Sequence, residues 1–249
     1  MTIRPFSHEL IEIKPSGVTL ETSLSCPADD HAEILAHHDG QFEPKRKVAV
    51  CLHPWSWLGG RMDDPVLHTV EDQLLKSGYY VLRYNSRGVG RSSGWPSFTG
   101  TREAEDLREL VHWALSQIPS IESVLIVGYS YGSLIASSFP LLDQIKTSHI
   151  ILSYPLGPRS WLTAFNGKLY TAALNSLLHE PRSNVLIIYG DQDDFTGVGS
   201  YDSWADALRK EVQGEGRGTL EIAKVKGATH FWRDDSSRKL VRVIQNWLQ

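Results

Sequence analysis

Apolar and polar residues follow two different patterns along this chain. Short apolar runs rich in β-branched residues, such as KVAVCLHP and NVLIIYGD, alternate with longer segments of helical spacing, such as PVLHTVEDQLLKSG. A strand that is apolar without interruption is buried on both faces, which is typical of a mainly parallel sheet with helices on each side. From about Lys47 onward strands and helices alternate, so the pattern predicts an α/β fold, and the chain as a whole is expected to form a sheet of about eight strands.

Two of these strands are predicted before Lys47. The stretch LIEIKPSGVTLETSLSC is typical of two strands joined by a turn at Pro15, Ser16 and Gly17. No repeat, low-complexity tract or linker-like change of composition divides the chain, so we expect a single domain over 1–249. A short insert is expected at about 156–183. Its one long helical pattern must lie on the main domain to bury an apolar face, so it should form a wall rather than a separate cap.

Composition and charge exclude several classes of protein. The chain has 249 residues, 41% of them hydrophobic, and a formal net charge of −4, which offers no basic surface for nucleic acid or for an anionic membrane. No apolar run approaches the roughly 20 residues of a membrane span, and the N-terminus does not resemble a signal peptide. We therefore expect a cytoplasmic protein with a small-molecule substrate; nothing in the pattern bears on its oligomeric state.

Metal and disulfide chemistry are not expected. The chain has ten histidines, but none of them occurs in an HExxH pattern or beside a CxxC pair. Its two cysteines, Cys26 and Cys51, cannot form a disulfide framework, and Cys51 lies inside an apolar run where it is expected to be buried.

The strongest chemical signal is the stretch VLIVGYSYGSLIA, from Val124 to Ala136. It predicts a buried strand, a sharp turn at Ser130 and a helix, with glycines on both sides that let strand and helix backbones approach closely. Such a turn presents the serine hydroxyl at the top of the sheet, and the Tyr131 N–H at the start of the helix can stabilise an oxyanion. A second Gly-x-Ser-x-Gly string, from Gly90 to Gly94, lies in a polar loop without these flanks, so we interpret it as a loop.

An activated serine also needs a base and an acid, and both follow later strands. The strand NVLIIYG is followed by three carboxylates, Asp191, Asp193 and Asp194. The strand TLEIAKVKG is followed by His230. Because the carboxyl ends of parallel strands meet at one edge of a sheet, these loops are expected to lie beside Ser130.

These motifs resemble the α/β-hydrolase fold superfamily over nearly the whole chain. GYSYG is similar to its nucleophile elbow, YGDQD to its acid turn and GATHF to its histidine loop. The segments CLHPWSWLGGRMDDP and LRYNSRGVGRSSG are similar to a compact branch of hydrolases that lacks a lid. The resemblance implies hydrolysis without a cofactor, and Asp193, the fourth residue counting from the glycine, as the acid. It also implies a second oxyanion donor in the loop after VAVCL, where Pro54 has no N–H and Trp55 is the first candidate.

Aromatic side chains are concentrated in the loops expected at the active edge of the sheet. Exposed tryptophans are costly unless they line a pocket or an interface, so we expect some of these residues to line a substrate pocket. The alternative is that they pack the loops. The candidates are Trp57, Trp95, Phe98, Trp161, Phe165, Phe231 and Trp232.

The sequence thus predicts a serine hydrolase that cleaves a small or medium ester or thioester through an acyl-enzyme. Two alternatives remain open. The same three residues also support amide or carbon–carbon bond hydrolysis or acyl transfer, and a hydrolase fold can serve as a binding protein without catalysis. Arg87, in the polar loop, could bind a substrate carboxylate or hold the loop in place, and we expect the second role.

Overall fold

The computed structural model describes residues 7–14, 16–28, 45–157, 167–214 and 216–249. Within them, eight strands form one sheet. The strands are β1 Ser7–Ile13, β2 Val18–Ser25, β3 Arg46–Leu52, β4 Tyr79–Tyr84, β5 Ile121–Tyr129, β6 Lys146–Leu152, β7 Asn184–Gly190 and β8 Thr219–Val225. The α-helices are α1 Pro65–Lys76, α2 Thr101–Gln117, α3 Tyr131–Ser137, α4 Gly167–His179, α5 Val198–Glu211 and α6 Asp235–Trp247.

The sheet is mainly parallel, as the apolar pattern predicts. Its strand order is β1-β2-β4-β3-β5-β6-β7-β8. The pairs from β4 onward are parallel, whereas β1 and β2 pair antiparallel with each other and β2 pairs antiparallel with β4. The predicted α/β class, with a sheet of eight strands and helices on both faces, is therefore confirmed.

Burial on both faces explains why the central strands are continuously apolar. In β3, Val48 and Val50 face one core cluster, and Ala49 and Cys51 face the other. Helices α1 and α6 cover the second cluster, while helices α2 to α5 contribute to the first. All four of these β3 side chains are fully buried, so neither face of the strand is exposed to water.

Local chemistry determines where two of the helices begin and end. The Asp64 carboxylate accepts the Val66 N–H at 2.8 Å and caps α1, and Pro65 occupies the first helical position. Helix α3 ends at Ser137. Pro140 follows shortly after this end, and a proline has no N–H with which to continue the helix.

The predicted insert is partly described. Residues 158–166 lie outside the described residues, and with them the candidates Trp161 and Phe165. Helix α4, which follows, buries Tyr170, Leu174 and Leu178 in the same core cluster as the central strands. This helix therefore packs against the core that lies on one face of the sheet.

Candidate active site

Ser130 lies at the junction between β5 and α3. Its backbone has φ 54° and ψ −120°, a combination that is strained for a residue with a side chain. The Ser130 N–H donates to the Leu152 carbonyl of the neighbouring strand at 2.8 Å, which holds the turn in this conformation. The serine is 7% exposed, so its hydroxyl lies at the base of a cleft.

The glycines on either side of Ser130 allow close approach of backbones. A Cβ on Gly128 would overlap the backbone of Gly132 and Ser133, so strand and helix could not pack as they do. A Cβ on Gly132 would lie 2.6 Å from the Leu52 carbonyl oxygen, at the end of β3. The two glycines therefore bring the turn against both its own helix and the adjacent strand.

His230 connects Ser130 to Asp193. Its Nε2 lies 2.9 Å from the Ser130 hydroxyl, and its Nδ1 lies 2.7 Å from Asp193 Oδ2. The side chains of His230 and Asp193 are 5% and 0% exposed. The carboxylate accepts the proton on Nδ1, which leaves Nε2 as the acceptor for the serine hydroxyl.

The three neighbouring carboxylates contact different groups. Asp193 Oδ1 accepts the N–H groups of Phe195 and Thr196, both at 2.9 Å, so the carboxylate is held while Oδ2 faces the histidine. Asp191 accepts the Gly227 N–H at 2.6 Å, and Asp194 accepts the His230 N–H at 3.2 Å. Asp191 and Asp194 therefore hold the histidine loop, and among the three only Asp193 is bonded to the ring of His230.

Two aromatic residues that the sequence did not single out hold His230. The Tyr129 hydroxyl donates to the His230 carbonyl at 2.9 Å. The Phe195 ring meets the imidazole edge to face, with centroids 4.6 Å apart. The sequence feature that could have identified these two residues is their position, since Tyr129 directly precedes Ser130 and Phe195 follows Asp193 by two residues.

The loop after β3 lies beside the start of α3. Tyr131 is the first residue of that helix, so its N–H has no acceptor within the helix. Trp55 lines the cleft, and its carbonyl accepts the N–H groups of Leu58 and Gly60 at 3.1 Å. The structure thus places Trp55 in the cavity wall and Tyr131 directly after Ser130 at the start of α3, and these are the two predicted oxyanion donors.

His53 holds this loop from behind. Its Nε2 accepts the Ser86 N–H at 3.0 Å, and its Nδ1 lies 2.6 Å from the Pro54 carbonyl, to which it donates. Burial lowers the pKa of His53 to about 4, so the ring is neutral near pH 7 and uses both nitrogens. In the sequence, His53 was distinguished only as part of the segment CLHPWSWLGGRMDDP.

A cavity of about 440 Å³ opens at Ser130 and His230. This volume suits a small or medium ligand. The side chains that line it are mostly apolar or aromatic, and one carries a carboxylate. They include Trp55, Leu58, Asp64, Tyr129, Phe195 and Phe231.

Of the predicted pocket residues that are described, Phe231 lines this cavity. Trp57, Trp95 and Phe98 are exposed by 69%, 85% and 78% and lie outside its lining. Trp57 stacks on Trp55 with ring centroids 6.2 Å apart. Trp232 is 3% exposed and packs in the core, where its Nε1 donates to Ser153 at 2.9 Å, so its place differs from the expected one.

The polar loop after β4 is held by buried hydrogen bonds. Arg87 binds Asp106 with two hydrogen bonds, of 2.7 and 2.6 Å, which is the loop-holding role preferred from the sequence. Ser92, in the second Gly-x-Ser-x-Gly string, donates to the Asn85 carbonyl at 2.7 Å and accepts the Glu21 N–H at 2.9 Å. Both side chains therefore stabilise the loop.

The described residues contain neither a metal-binding cluster nor a membrane-spanning helix. No cluster of three or more histidine, cysteine, aspartate or glutamate side chains there could hold a metal ion. No helix in that part of the chain has the length and apolar character needed to cross a bilayer.

Comparison with known proteins relates the chain to hydrolases. Residues 35–156 match the family described as X-Pro dipeptidyl-peptidase (S15 family). An uncharacterized protein of Rickettsia prowazekii is 27% identical over 190 residues, which cover 76% of this chain and 74% of that protein.

Solved structures share the fold over the full length. An α/β serine hydrolase homologue from Coxiella burnetii superimposes with a TM-score of 0.72, at 21% identity and with 100% of each chain covered. A Xanthomonas campestris protein, described as a serine hydrolase without a lid, gives a TM-score of 0.71 at 19% identity. The superposition covers 100% of this chain and 95% of that one.

Proposed function

Because this chain has the fold of α/β hydrolases, we propose that it is a serine hydrolase that cleaves a small or medium ester or thioester. One observation carries the proposal. A continuous chain of hydrogen bonds runs from the Ser130 hydroxyl through His230 to Asp193 and faces a mostly apolar cavity. This arrangement is the one that activates a serine as a nucleophile.

In the first half of the reaction, Ser130 Oγ attacks the substrate carbonyl carbon while His230 Nε2 takes the hydroxyl proton. Asp193 stabilises the resulting imidazolium, and the N–H groups of Tyr131 and Trp55 bind the oxyanion. Collapse of the tetrahedral intermediate breaks the bond to the leaving alcohol or thiol, which receives the proton from His230. An acyl group then remains on Ser130.

Water completes the cycle. His230 takes a proton from a water molecule, whose oxygen attacks the acyl carbon through a second tetrahedral intermediate. Collapse of this intermediate returns the proton to Ser130 Oγ and releases the carboxylic acid. No cofactor takes part in either half.

Amide hydrolysis is the second candidate. The observation that favours it is the match of residues 35–156 to a family described as X-Pro dipeptidyl-peptidase. The same three side chains perform both reactions, and they differ in the leaving group that His230 must protonate. An anilide substrate therefore separates the two.

We further propose that the whole chain forms one domain and acts in the cytoplasm. Support for the domain comes from the single sheet to which the described strands belong. Cys51 is a fully buried free thiol, which fits a reducing compartment.

The test compares Ser130→Ala with Ser92→Ala on p-nitrophenyl esters of increasing acyl length, acyl thioesters and p-nitroanilides. We expect Ser130→Ala to lose nearly all turnover, by up to about 10⁶-fold where chemistry limits the rate. Ser92→Ala should retain kcat, because that hydroxyl bonds to the backbone of Asn85 and Glu21 and lies outside the cavity lining.

Covalent labelling by a fluorophosphonate gives a second measurement. Attack of Ser130 Oγ on phosphorus displaces fluoride, so the wild type and Ser92→Ala should label and Ser130→Ala should not. An unlabelled wild type without activity on any of the three substrate classes would indicate a binding protein instead.

A further inference from the structure

Asp64 places a carboxylate in the lining of the active cavity. It follows the loop after β3, starts α1 and shares the cavity wall with Ser130 and His230. Among the described residues that line this cavity, it is the one carboxylate, and no lysine or arginine accompanies it. A ligand in the cavity therefore meets a negative charge without an adjacent positive side chain.

Capping alone does not require this charge. One oxygen of Asp64 accepts the Val66 N–H at 2.8 Å, a role that asparagine or serine fills equally well at the start of a helix. Partial burial raises the pKa of Asp64, because the carboxylate loses hydration. A cation bound in the cavity would offset that loss.

The remaining walls also suit a cation. Aromatic rings attract cations through their faces, and four aromatic residues line the same cavity: Trp55, Tyr129, Phe195 and Phe231. The Phe231 ring already makes a cation–π contact with Arg233, whose guanidinium lies 5.4 Å from the ring centroid. Arg233 itself is not part of the cavity lining.

We propose that the substrate carries an ammonium group, in its acyl or its alcohol part, and that Asp64 selects it. The proposal deepens the proposed hydrolase function and rests on it. Asp64 is a specificity residue: it acts on the non-reacting part of the substrate and leaves proton transfer to His230. A charge pair in a partly buried site is expected to raise kcat/KM for a cationic ester about tenfold or more over that for its neutral counterpart.

Two pairs of matched esters test the proposal by kcat/KM. Acetylcholine and 3,3-dimethylbutyl acetate differ in the charge of the alcohol part. The p-nitrophenyl esters of 4-(trimethylammonio)butyrate and 5,5-dimethylhexanoate differ in the charge of the acyl part. We expect the wild type to prefer the cation at least tenfold in one pair, and that pair identifies the part of the substrate that Asp64 contacts.

The decisive variant is Asp64→Asn, which keeps the helix cap and the size but removes the charge. We expect it to lower the cation-to-neutral ratio of kcat/KM to near one, because the cationic ester loses its partner charge. Asp64→Ser provides a second uncharged cap in case the first variant is unstable.

Asp63→Asn is the matched control. It removes the same charge from the neighbouring residue, whose carboxylate lies 3.2 Å from Arg83 and outside the cavity lining, so the ratio should not change. The proposal would be overturned if the wild type had equal kcat/KM for the two esters of both pairs. It would also be overturned if Asp64→Asn and Asp64→Ser kept the preference for the cationic ester.

Binding to Ser130→Ala separates this inference from the hydrolase proposal. The variant does not need to cleave a ligand in order to bind it, so calorimetry with the four esters reports cation preference even if the wild type hydrolyses none of them. Tighter binding of a cationic ester, lost in the Ser130→Ala, Asp64→Asn double variant, supports the role of Asp64. Equal binding of the paired esters contradicts it.

Discussion

Three carboxylates follow β7 within four residues, and their roles differ because their hydrogen bonds differ. Asp191 and Asp194 accept backbone N–H groups of the histidine loop. Asp193 is the one whose oxygen lies 2.7 Å from the His230 ring. Its side chain is fully buried, so water cannot replace it as the partner of the imidazolium.

Asp193→Asn is expected to lower kcat by about 10⁴-fold. The asparagine amide can donate to His230 Nδ1, which would turn Nε2 into a donor that no longer accepts the Ser130 proton. Steady-state kinetics on an ester that the wild type cleaves provide the measurement. Asp194→Asn is the control, because it keeps an oxygen for the His230 N–H, and its kcat should stay within about tenfold. Equal losses in the two variants would contradict the assignment of Asp193.

Three elements meet at the candidate oxyanion site: the end of β3, the loop after it and the start of α3. Gly132 lets the helix approach the Leu52 and His53 carbonyls. Gly60 lets the loop fold back on the Pro54 carbonyl, and its N–H donates to Trp55 at 3.1 Å. The position of the Trp55 amide therefore depends on backbone packing between elements.

Gly60→Ala is expected to lower kcat by about 10²-fold while leaving the fold intact. The added Cβ would overlap the Pro54 carbonyl oxygen, so the loop must shift, and one lost oxyanion donor costs about that factor. Kinetics together with circular dichroism measure the effect. The matched control is Gly199→Ala, where an added Cβ meets nothing within 4 Å. An unchanged kcat in Gly60→Ala would show that the loop does not supply a donor.

At the scale of the described molecule, burial keeps the rings of His53 and His149 neutral near pH 7. Burial lowers the pKa of both His53 and His149 to about 4. Protonation of His53 would remove the acceptor of the Ser86 N–H. His149 Nδ1 has no hydrogen-bond partner in the described part of the chain, so a proton added there would find no acceptor. In the unfolded chain both rings take up protons near their ordinary pKa of about 6.5.

These two groups make stability depend on pH in one direction. Each histidine has a lower pKa in the folded protein than in the unfolded chain, so the unfolded chain binds more protons as the pH falls. The contribution of the two histidines to the free energy of unfolding is therefore complete above about pH 6.5 and is lost as the pH falls toward 4. We expect the free energy of unfolding to drop between pH 7.5 and 5, by about 2 kcal/mol for each histidine. Urea denaturation at the two pH values measures this drop.

His149→Gln isolates one of these contributions. Its loss of stability between pH 7.5 and 5 should be about 2 kcal/mol smaller than that of the wild type, because glutamine does not titrate. Carboxylates contribute equally to both proteins and cancel in the difference. A drop of the same size in wild type and variant would contradict a depressed pKa at His149.

The sequence by itself determined those features that neighbouring residues encode. Continuous apolar runs required strands buried on both faces, and the two glycines around Ser130 required a tight turn between strand and helix. The chain order of Ser130, Asp193 and His230 after successive strands implied one shared edge, because the ends of parallel strands lie together. In the structure these three side chains meet at hydrogen-bonding distance.

The tertiary structure alone decided which loop side chains line the cavity. An aromatic ring gains similar free energy by packing in the core or against a cleft, so composition does not predict which of the two a given ring will do. Trp232 is buried beside Ser153, whereas Phe231 faces the cavity. Asp64 directly precedes the segment of helical spacing that begins at Pro65, but its place in the cavity wall follows only from how β3, α1 and the histidine loop pack. Such positions depend on contacts between residues far apart in the chain, whereas turns and caps depend on residues next to each other.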